Sequence, residues 1–407
     1  MKIRKTVAYL PPEVLSEILK WLPAENLLKL RVVCKSWNSV ICDPRFHQQH
    51  HLHQSRTKNI QSWEYELFNL YRYFGQTKYF DFATSALNIC SRRTPETVDN
   101  IDVKEFCRGK VFILGYIDGL VLLSVTSRRV DRRENAIFLW NPVLGKVIDI
   151  PVSKTLMMFT NSNVGFGFGF DTRSNNYKLV ALNLKFYDKK TKVYNLGSGS
   201  WTSPKEKRGS IENVKYLSKT SHTFNFEGEI YWLARVGRKA NNVTHYLRFN
   251  LSSEAFTCSK LPDFKYDKKR LRQESRRLLS MHESLALVDC SSYLQSGHIR
   301  VWLRRKDNTS SIDSWIELYK LNTRRKTLVN LTSNGEAYLR SWSMNGRITL
   351  YVYDLKSGEE KVGSRTNELD LNFENGYIQS LALLGQPHSR LFPSFVSQNL
   401  PIRYWMR

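Results

Sequence analysis

Five aromatic residues, Trp140, Tyr194, Phe249, Trp302 and Tyr353, recur at separations of 54, 55, 53 and 51 residues. Each sits in a hairpin-like unit. The units read FLWNPVLGKVIDIP, KVYNLGSGSWTS, LRFNLSSEAFTCSKLP, IRVWLRRKD and YVYDLKSGEEKV. In four of them the aromatic is followed by Asn or Asp, then by Pro or Leu, then by a turn with Gly or Ser. Asn and Asp suit such turns because their side chains bond their own backbone. The Trp302 unit departs from the pattern: Leu303-Arg304 replaces the turn pair, and Trp315 to Leu318 is the candidate return strand.

A period of about fifty residues built from hairpins is the signature of a β-propeller of the kelch size class. One unit cannot bury both of its faces, so neighbours stack in a ring. Further turn signals sit at an offset, at Asp118-Gly119, Glu227-Gly228 and Asn345-Gly346, each ahead of an apolar run. A polar residue followed by Gly there is a hairpin turn. The five units, with strands before Gly109 and after Tyr377, imply six or seven blades.

The N-terminal fifty residues have a different texture. Leu10-Pro11-Pro12 forms an extended entry, and proline is tolerated in a first helical turn. Val14, Leu15, Ile18, Leu19 and Leu22 follow at the one-, three- and four-residue steps of an apolar helix stripe. Pro23 stops that helix. A second short helix carries Leu27, Leu28, Leu30 and Val32. A third runs from about Val33, with Val33, Trp37, Val40 and Ile41 on one face, until Asp43-Pro44 ends it. Three small helices cannot bury that many large side chains among themselves, and domains of this size need a partner, a metal or disulfides. The surplus apolar surface reads as half of an interface.

In order, this segment holds Leu-Pro, Ile-Leu three residues before a second Leu-Pro, Leu-Leu, Val-Cys-Lys-Ser-Trp and Asp-Pro-Arg-Phe. It resembles an F-box. The resemblance implies a docking module for the Skp-type adaptor of a cullin–RING ubiquitin ligase. Carried over residue by residue, the implied adaptor-binding set is Leu10, Pro11, Leu15, Ile18, Leu19, Leu22, Pro23, Leu27, Leu28, Val33, Cys34 and Trp37. Downstream, GYIDGLVLL, LWNP, GFGFD followed by YKLVAL, and YNLGSGSW occur in order. This half resembles the F-box-associated domain common in plant F-box proteins, which implies a propeller-like, client-binding unit. Asn176 stands where that family often has Asp. The expected class is α+β: a three-helix F-box (1–48), a connecting segment with the first strands (49–108), a mainly-β propeller (109–390) and a tail (391–407).

Residues 47–53, HQQHHLH, hold four histidines. His47 and His51 have the spacing of a metal pair, but no cysteine or carboxylate joins them nearby, so a solvated helix end is expected. Residues 54–108 carry nine clustered aromatics from Trp63 to Phe82, too many for a flexible linker. The six cysteines form no CxxC or metal-ligand spacing and read as reduced thiols. No apolar run reaches the length a membrane helix needs, and the basic N-terminus lacks a signal-peptide core. A cytoplasmic or nuclear chain is expected, with no cofactor and no membrane partner.

Catalytic motifs fail on inspection. GFGFGFD at 165–171 lacks the Lys-Ser/Thr ending of a phosphate loop and the third glycine of a dinucleotide turn. Alternating Gly and Phe instead lets a strand pack closely in a blade. GSGSW falls in a repeated hairpin turn. His282-Glu283 is followed by Ala286 where a zinc protease has its second histidine. A non-catalytic subunit is expected.

Charge is the unusual bulk property, at +25. It favours acidic partners. The run 265–277 holds seven Lys or Arg, and smaller clusters stand at 128–133, 304–306 and 324–326. These are solvated loops, an acidic-client surface, or a nuclear-import or nucleic-acid contact. Lys268, Lys269, Arg270 and Arg272 are the candidate client-binding residues. Few aromatics interleave with this run, which argues against single-strand nucleic acid. The reading is a substrate-recognition subunit of an SCF-type ubiquitin ligase that binds a client protein with its propeller. The alternative is a non-ligase F-box scaffold, nucleic-acid-associated through basic loops.

Overall fold

The computed structural model describes residues 10–57, 65–71, 85–91, 97–102, 109–127, 135–151, 164–184, 190–204, 211, 213–217, 223–237, 243–262, 276–282, 284–290, 298–305, 313–323, 326–331, 335–342, 348–366, 371–377, 380–385 and 389–391. Pro11, extended at φ −55 and ψ 143, caps α1 (Pro12–Leu19). Pro12 sits where no backbone donor is needed, and Glu13 faces the positive end of the helix dipole. The helix stops short of Pro23. Trp21 and Leu22 form a tighter turn, donating to the Ile18 and Leu19 carbonyls at 3.3 and 3.1 Å. Pro23 then caps α2 (Ala24–Leu30).

Two expectations need correction here. The third helix, α3 (Lys35–Cys42), starts after an extended Cys34, so Val33 lies outside it and is not on Trp37's face. Asp43-Pro44 does end α3, but it also starts a fourth helix, α4 (Pro44–Thr57). The Asp43 carboxylate accepts the Arg45 N–H at 2.8 Å, and Pro44 stands at the first position. A capping Asp followed by Pro is a start signal as much as a stop signal.

The rest of the described chain is β, as the fifty-residue period requires, and forms six antiparallel sheets. The first sheet joins β1 (Tyr65–Tyr71), β2 (Ser85–Ser91) and β3 (Thr97–Asp102) to β25 (Leu371–Tyr377), which pairs with β1. The second runs β4 (Gly109–Ile117), β5 (Leu120–Ser127), β6 (Asn135–Asn141) and β7 (Lys146–Ile150), with β26 (Arg390–Leu391) on the edge of β7. The third runs β8 (Val164–Asp171), β9 (Asn176–Asn183), β10 (Lys190–Asn195) and β11 (Ser200–Thr202). In the fourth, β12 (Val214–Leu217) and β13 (Phe224–Phe226) share the partner β14 (Glu229–Val236), followed by β15 (His245–Asn250) and β16 (Ala255–Lys260). The fifth runs β17 (Arg276–Met281), β18 (Ser284–Asp289), β19 (His298–Arg305) and β20 (Ser314–Asn322). The sixth runs β21 (Thr327–Leu331), β22 (Glu336–Trp342), β23 (Ile348–Asp354) and β24 (Glu360–Thr366).

First strands of neighbouring sheets lie together: β4 by β8, β13 by β17, and β21 by β25. The C-terminal β25 thus closes the ring onto the first three strands. Burial follows from this stacking. Runs in the second strands, such as Leu120–Leu123, Ile230–Ala234 and Leu285–Asp289, are buried on both faces, while β11 and β20 at the outside are mostly exposed.

All five repeat aromatics occupy the third strand of their sheets. In four, the aromatic pairs with the residue seven positions on: Trp140 with Val147, Tyr194 with Trp201, Phe249 with Phe256, and Tyr353 with Glu360. Trp302 is the exception, because β19 continues to Arg305 and Trp302 pairs with Glu317 at a bulge. The Asp118-Gly119 and Glu227-Gly228 turns have φ of 51 and 72 at both sites, the geometry that joins two strands with matching twist. Asn345-Gly346 lies outside the described residues. The Gly-Phe alternation acts in packing: a Cβ on Gly167 would strike Ile230 and Trp232, and one on Gly169 would strike Asn225 and Leu251. The basic clusters change character at their ends. Arg276 and Arg277 belong to β17, and Arg276 is buried with its Nε 3.3 Å from Asp289. Arg304 is also buried, over the Tyr231 ring at 5.7 Å, rather than in a solvated loop. Both make interior contacts that a charge count along the chain does not reveal.

Candidate functional site

The apolar stripe of α1 divides into two. Leu15, Leu19 and Leu22 turn inward, the first two fully buried. Val14, Ile18 and Trp21 turn outward. They lie four and three residues apart, the spacing of one helix face. With Leu10, Val32 and Val33 they form a set of large apolar side chains exposed by between 41% (Leu10) and 70% (Val32). Monomers seldom leave so many large apolar groups bare on one small module.

The twelve sequence-predicted adaptor residues fall on both sides of this division. Leu10, Pro11, Ile18, Pro23, Val33 and Cys34 are exposed, Leu22 and Trp37 are half-buried, and Leu15, Leu19, Leu27 and Leu28 are buried. The exposed six are available to a partner; the buried four build the support beneath them. Val14, Trp21 and Val32 belong to the bare surface, yet sequence reasoning left them out of the set. The four-residue step from Leu10 to Val14 to Ile18 was the signal for Val14.

The inner side is closed by residues from the far end of the chain. Leu15, Leu19, Ala24, Leu27, Leu28, Ile41 and Phe46 share one core with Leu381 and Leu384, and Val143 and Leu144 pack against it. Val143 and Leu144 lie in the Asn141 turn between β6 and β7. Asn141 is fully buried; its amide donates to the carbonyls of Ser380 (3.0 Å) and Ala382 (2.6 Å), and its own oxygen accepts the Leu144 N–H (3.2 Å). The equivalent Asn195, Asn250 and Asp354 bond within their own turns, and Asn195 and Asn250 also meet Asn176 and Glu229 of the neighbouring strand.

The four histidines are not a solvated helix end. His47 Nε2 lies 2.7 Å from the Ile41 carbonyl oxygen. His50 is buried and donates from Nε2 to the Leu22 carbonyl at 2.8 Å. His51 reaches across to Asp118 Oδ1 at 2.7 Å, and the His53 ring meets Trp21 edge-on with centroids 4.2 Å apart. The helix is polar in sequence because its polar groups bond the other F-box helices and, through His51, the propeller. Burial pushes His50 down to about 4, against the opposing pull of the Leu22 carbonyl. Burial also lowers His47. Tyr177 donates to Asp118 at 3.1 Å, and burial, then the Asp118 charge, hold its hydroxyl protonated.

Lys268, Lys269, Arg270 and Arg272 lie outside the described residues. Among the described residues, no three His, Cys, Asp or Glu side chains stand together as metal ligands. No helix there is long and apolar enough to cross a membrane.

Comparison with known proteins agrees with this arrangement. Residues 9–49 match the F-box domain, and residues 80–377 match the F-box associated beta propeller domain. The Arabidopsis thaliana F-box protein At2g07140 is 24% identical over 78% of this chain and 77% of its own length. The F-box/kelch-repeat protein At3g44120 of Arabidopsis thaliana is 24% identical over 63% of each chain. A putative F-box protein of the same plant, At3g17490, is 25% identical over 76% of this chain and 74% of its own.

Proposed function

Because the chain belongs to the family of F-box proteins with an F-box associated β-propeller domain, we propose that it is the substrate-recognition subunit of an SCF-type ubiquitin ligase. Its F-box takes a Skp-type adaptor and through it the cullin–RING assembly. Its propeller holds a client protein. The chain does no covalent chemistry in this reading; it raises the local concentration of client lysines beside the conjugating enzyme. The cytoplasm, the nucleus or both are the compartments for that work, and no cofactor is called for.

The observation that carries the reading is the bare apolar surface of Leu10, Val14, Ile18, Trp21, Val32 and Val33, mounted on a closed core. Apolar anchors at an interface centre typically contribute about 2 kcal/mol or more each. The test is titration of the full chain with a purified Skp-type adaptor, wild type against the Leu10→Ala/Ile18→Ala double variant. Undiminished affinity in the double variant would sink the docking assignment.

The client side rests on charge. Reversing Lys268, Lys269, Arg270 and Arg272 to Glu should slow client association and leave adaptor affinity intact, since charged patches act mainly on encounter rates. The net charge of +25 also favours a second reading, a non-ligase scaffold on nucleic acid. That reading requires nucleic-acid binding that falls steeply between low and moderate salt; a client receptor shows little such binding at physiological salt.

A further inference from the structure

The propeller's seam lies where β25 pairs with β1. The described segments next to both strands in sequence belong to the F-box core. The chain before β1 is α4, which contributes Phe46 and His50; the chain after β25 contributes Leu381 and Leu384. These two approaches, from opposite ends of the sequence, meet beneath α1 and α2. The second sheet locks them. The Asn141 amide holds the Ser380 and Ala382 carbonyls. The Ser380 hydroxyl donates to the Asp118 carbonyl. The Asp118 carboxylate takes His51 of α4 and Tyr177 of the third sheet. One turn residue therefore touches the helix that leads into the seam, the segment that leaves it, and the neighbouring blade.

We propose that the F-box and the propeller's closing segment form one interlocked unit, so that the F-box core is complete only when β25 has closed the ring. The adaptor face is then presented by a chain whose client half is already assembled. A chain with an open ring has a defective core beneath α1 and α2, and recruits adaptor poorly. The coupling is reciprocal, because each half buries apolar groups of the other. The adaptor consequence rests on the docking reading above; the shared core does not.

Hydrogen exchange on the full chain tests this without any adaptor. In the Leu381→Ser/Leu384→Ser double variant, amides of α1, α2 and β1 should exchange roughly tenfold faster or more, while β15 and β16 keep their protection. Leu19→Ala should do the reverse and speed exchange in β1 and β25. If the double variant does not accumulate as a folded chain, Asn141→Ala decides by the same readout, with Asn250→Ala as the matched turn control. Unchanged protection of α1 and α2 in either folded variant overturns the proposal, and so does a uniform loss across all sheets. Binding of a purified Skp-type adaptor is the second arm. If wild type binds no adaptor, the docking reading fails while the exchange result still decides the interlock.

Discussion

Ile18 and Leu19 are neighbours on one helix and differ completely in their surroundings. Leu19 has no exposed surface, whereas half of Ile18 is open to solvent. The same division runs through the module, with Leu15 and Leu27 on one side and Val14 and Val33 on the other. Both sides are apolar, yet only one has its partner among the described residues. In the proposed function such a module is a joint between two bodies. The inner side is satisfied by Leu381, Leu384, Val143 and Leu144; the outer side is exposed and, in the proposed function, takes the adaptor.

Substitutions separate the two sides. Leu19→Ala removes a fully buried side chain and should cost about 2–5 kcal/mol of stability, read as a lowered denaturant midpoint. Adaptor affinity falls with it, because the support is damaged. A stability loss below about 0.5 kcal/mol, the range of ordinary surface changes, would erase the distinction. Leu10→Ala and Ile18→Ala should show the opposite profile. Each weakens adaptor binding by about 2 kcal/mol, and each leaves the unfolding midpoint nearly unchanged.

The propeller was legible in its period and its turns. The Asn and Asp residues after the repeat aromatics bond their own backbone as expected, and the pairing of each aromatic with the residue seven later repeats in four sheets. The number of sheets was less legible, because it turns on β25 finding β1 at the other end of the described strands. Local pattern carries no record of such a pair. The F-box was legible as an apolar module with surplus surface. Which residues were surplus was not, since that depends on Leu381 and Leu384, which complete the core from far along the chain. The stretch HQQHHLH of α4 reads as a solvated helix end because its contacts are made by polar groups, His50 and His51 above all.

Asn141 sharpens the comparison from the propeller's side. It shares its turn chemistry with Asn250, which holds the Ser252 and Ser253 N–H groups at 3.0 and 2.9 Å. Only Asn141 is buried and also binds the segment after β25. Asn141→Ala leaves buried carbonyls without a donor and should cost about 1–3 kcal/mol. Asn250→Ala loses part-exposed contacts, to the Ser252 and Ser253 N–H groups and the Glu229 carboxylate, and should cost less, about 1 kcal/mol. Equal losses in chemical denaturation would mean that the two turns do the same work.

The smallest effect expected is a pH dependence confined to the inner side. His50 is the buried titratable group there, against Phe46 with ring centroids 5.8 Å apart and beneath the Leu22 carbonyl, with His47, His51 and His53 on the same helix. Burial lowers it from 6.5 to about 4, with the other histidines adding smaller repulsion. The unfolded chain therefore binds this proton more readily than the folded one. The associated stability is fully present above pH 6.5 and is lost as the pH falls towards about 4. The slope reaches about 1.4 kcal/mol per pH unit at most, so near the middle of that window the loss is on the order of 1 kcal/mol. Exposed Leu10, Val14 and Ile18 carry no such group, so acid should act on adaptor binding only by loosening the core beneath them. Amide exchange in α1 and α4, followed from pH 7 to 5 after correction for intrinsic rates, should show falling protection in wild type. In His50→Gln, which keeps a side-chain donor for the Leu22 carbonyl but cannot titrate, protection should vary much less. If both chains lose protection in parallel, His50 is not the group that makes the inner side acid-labile.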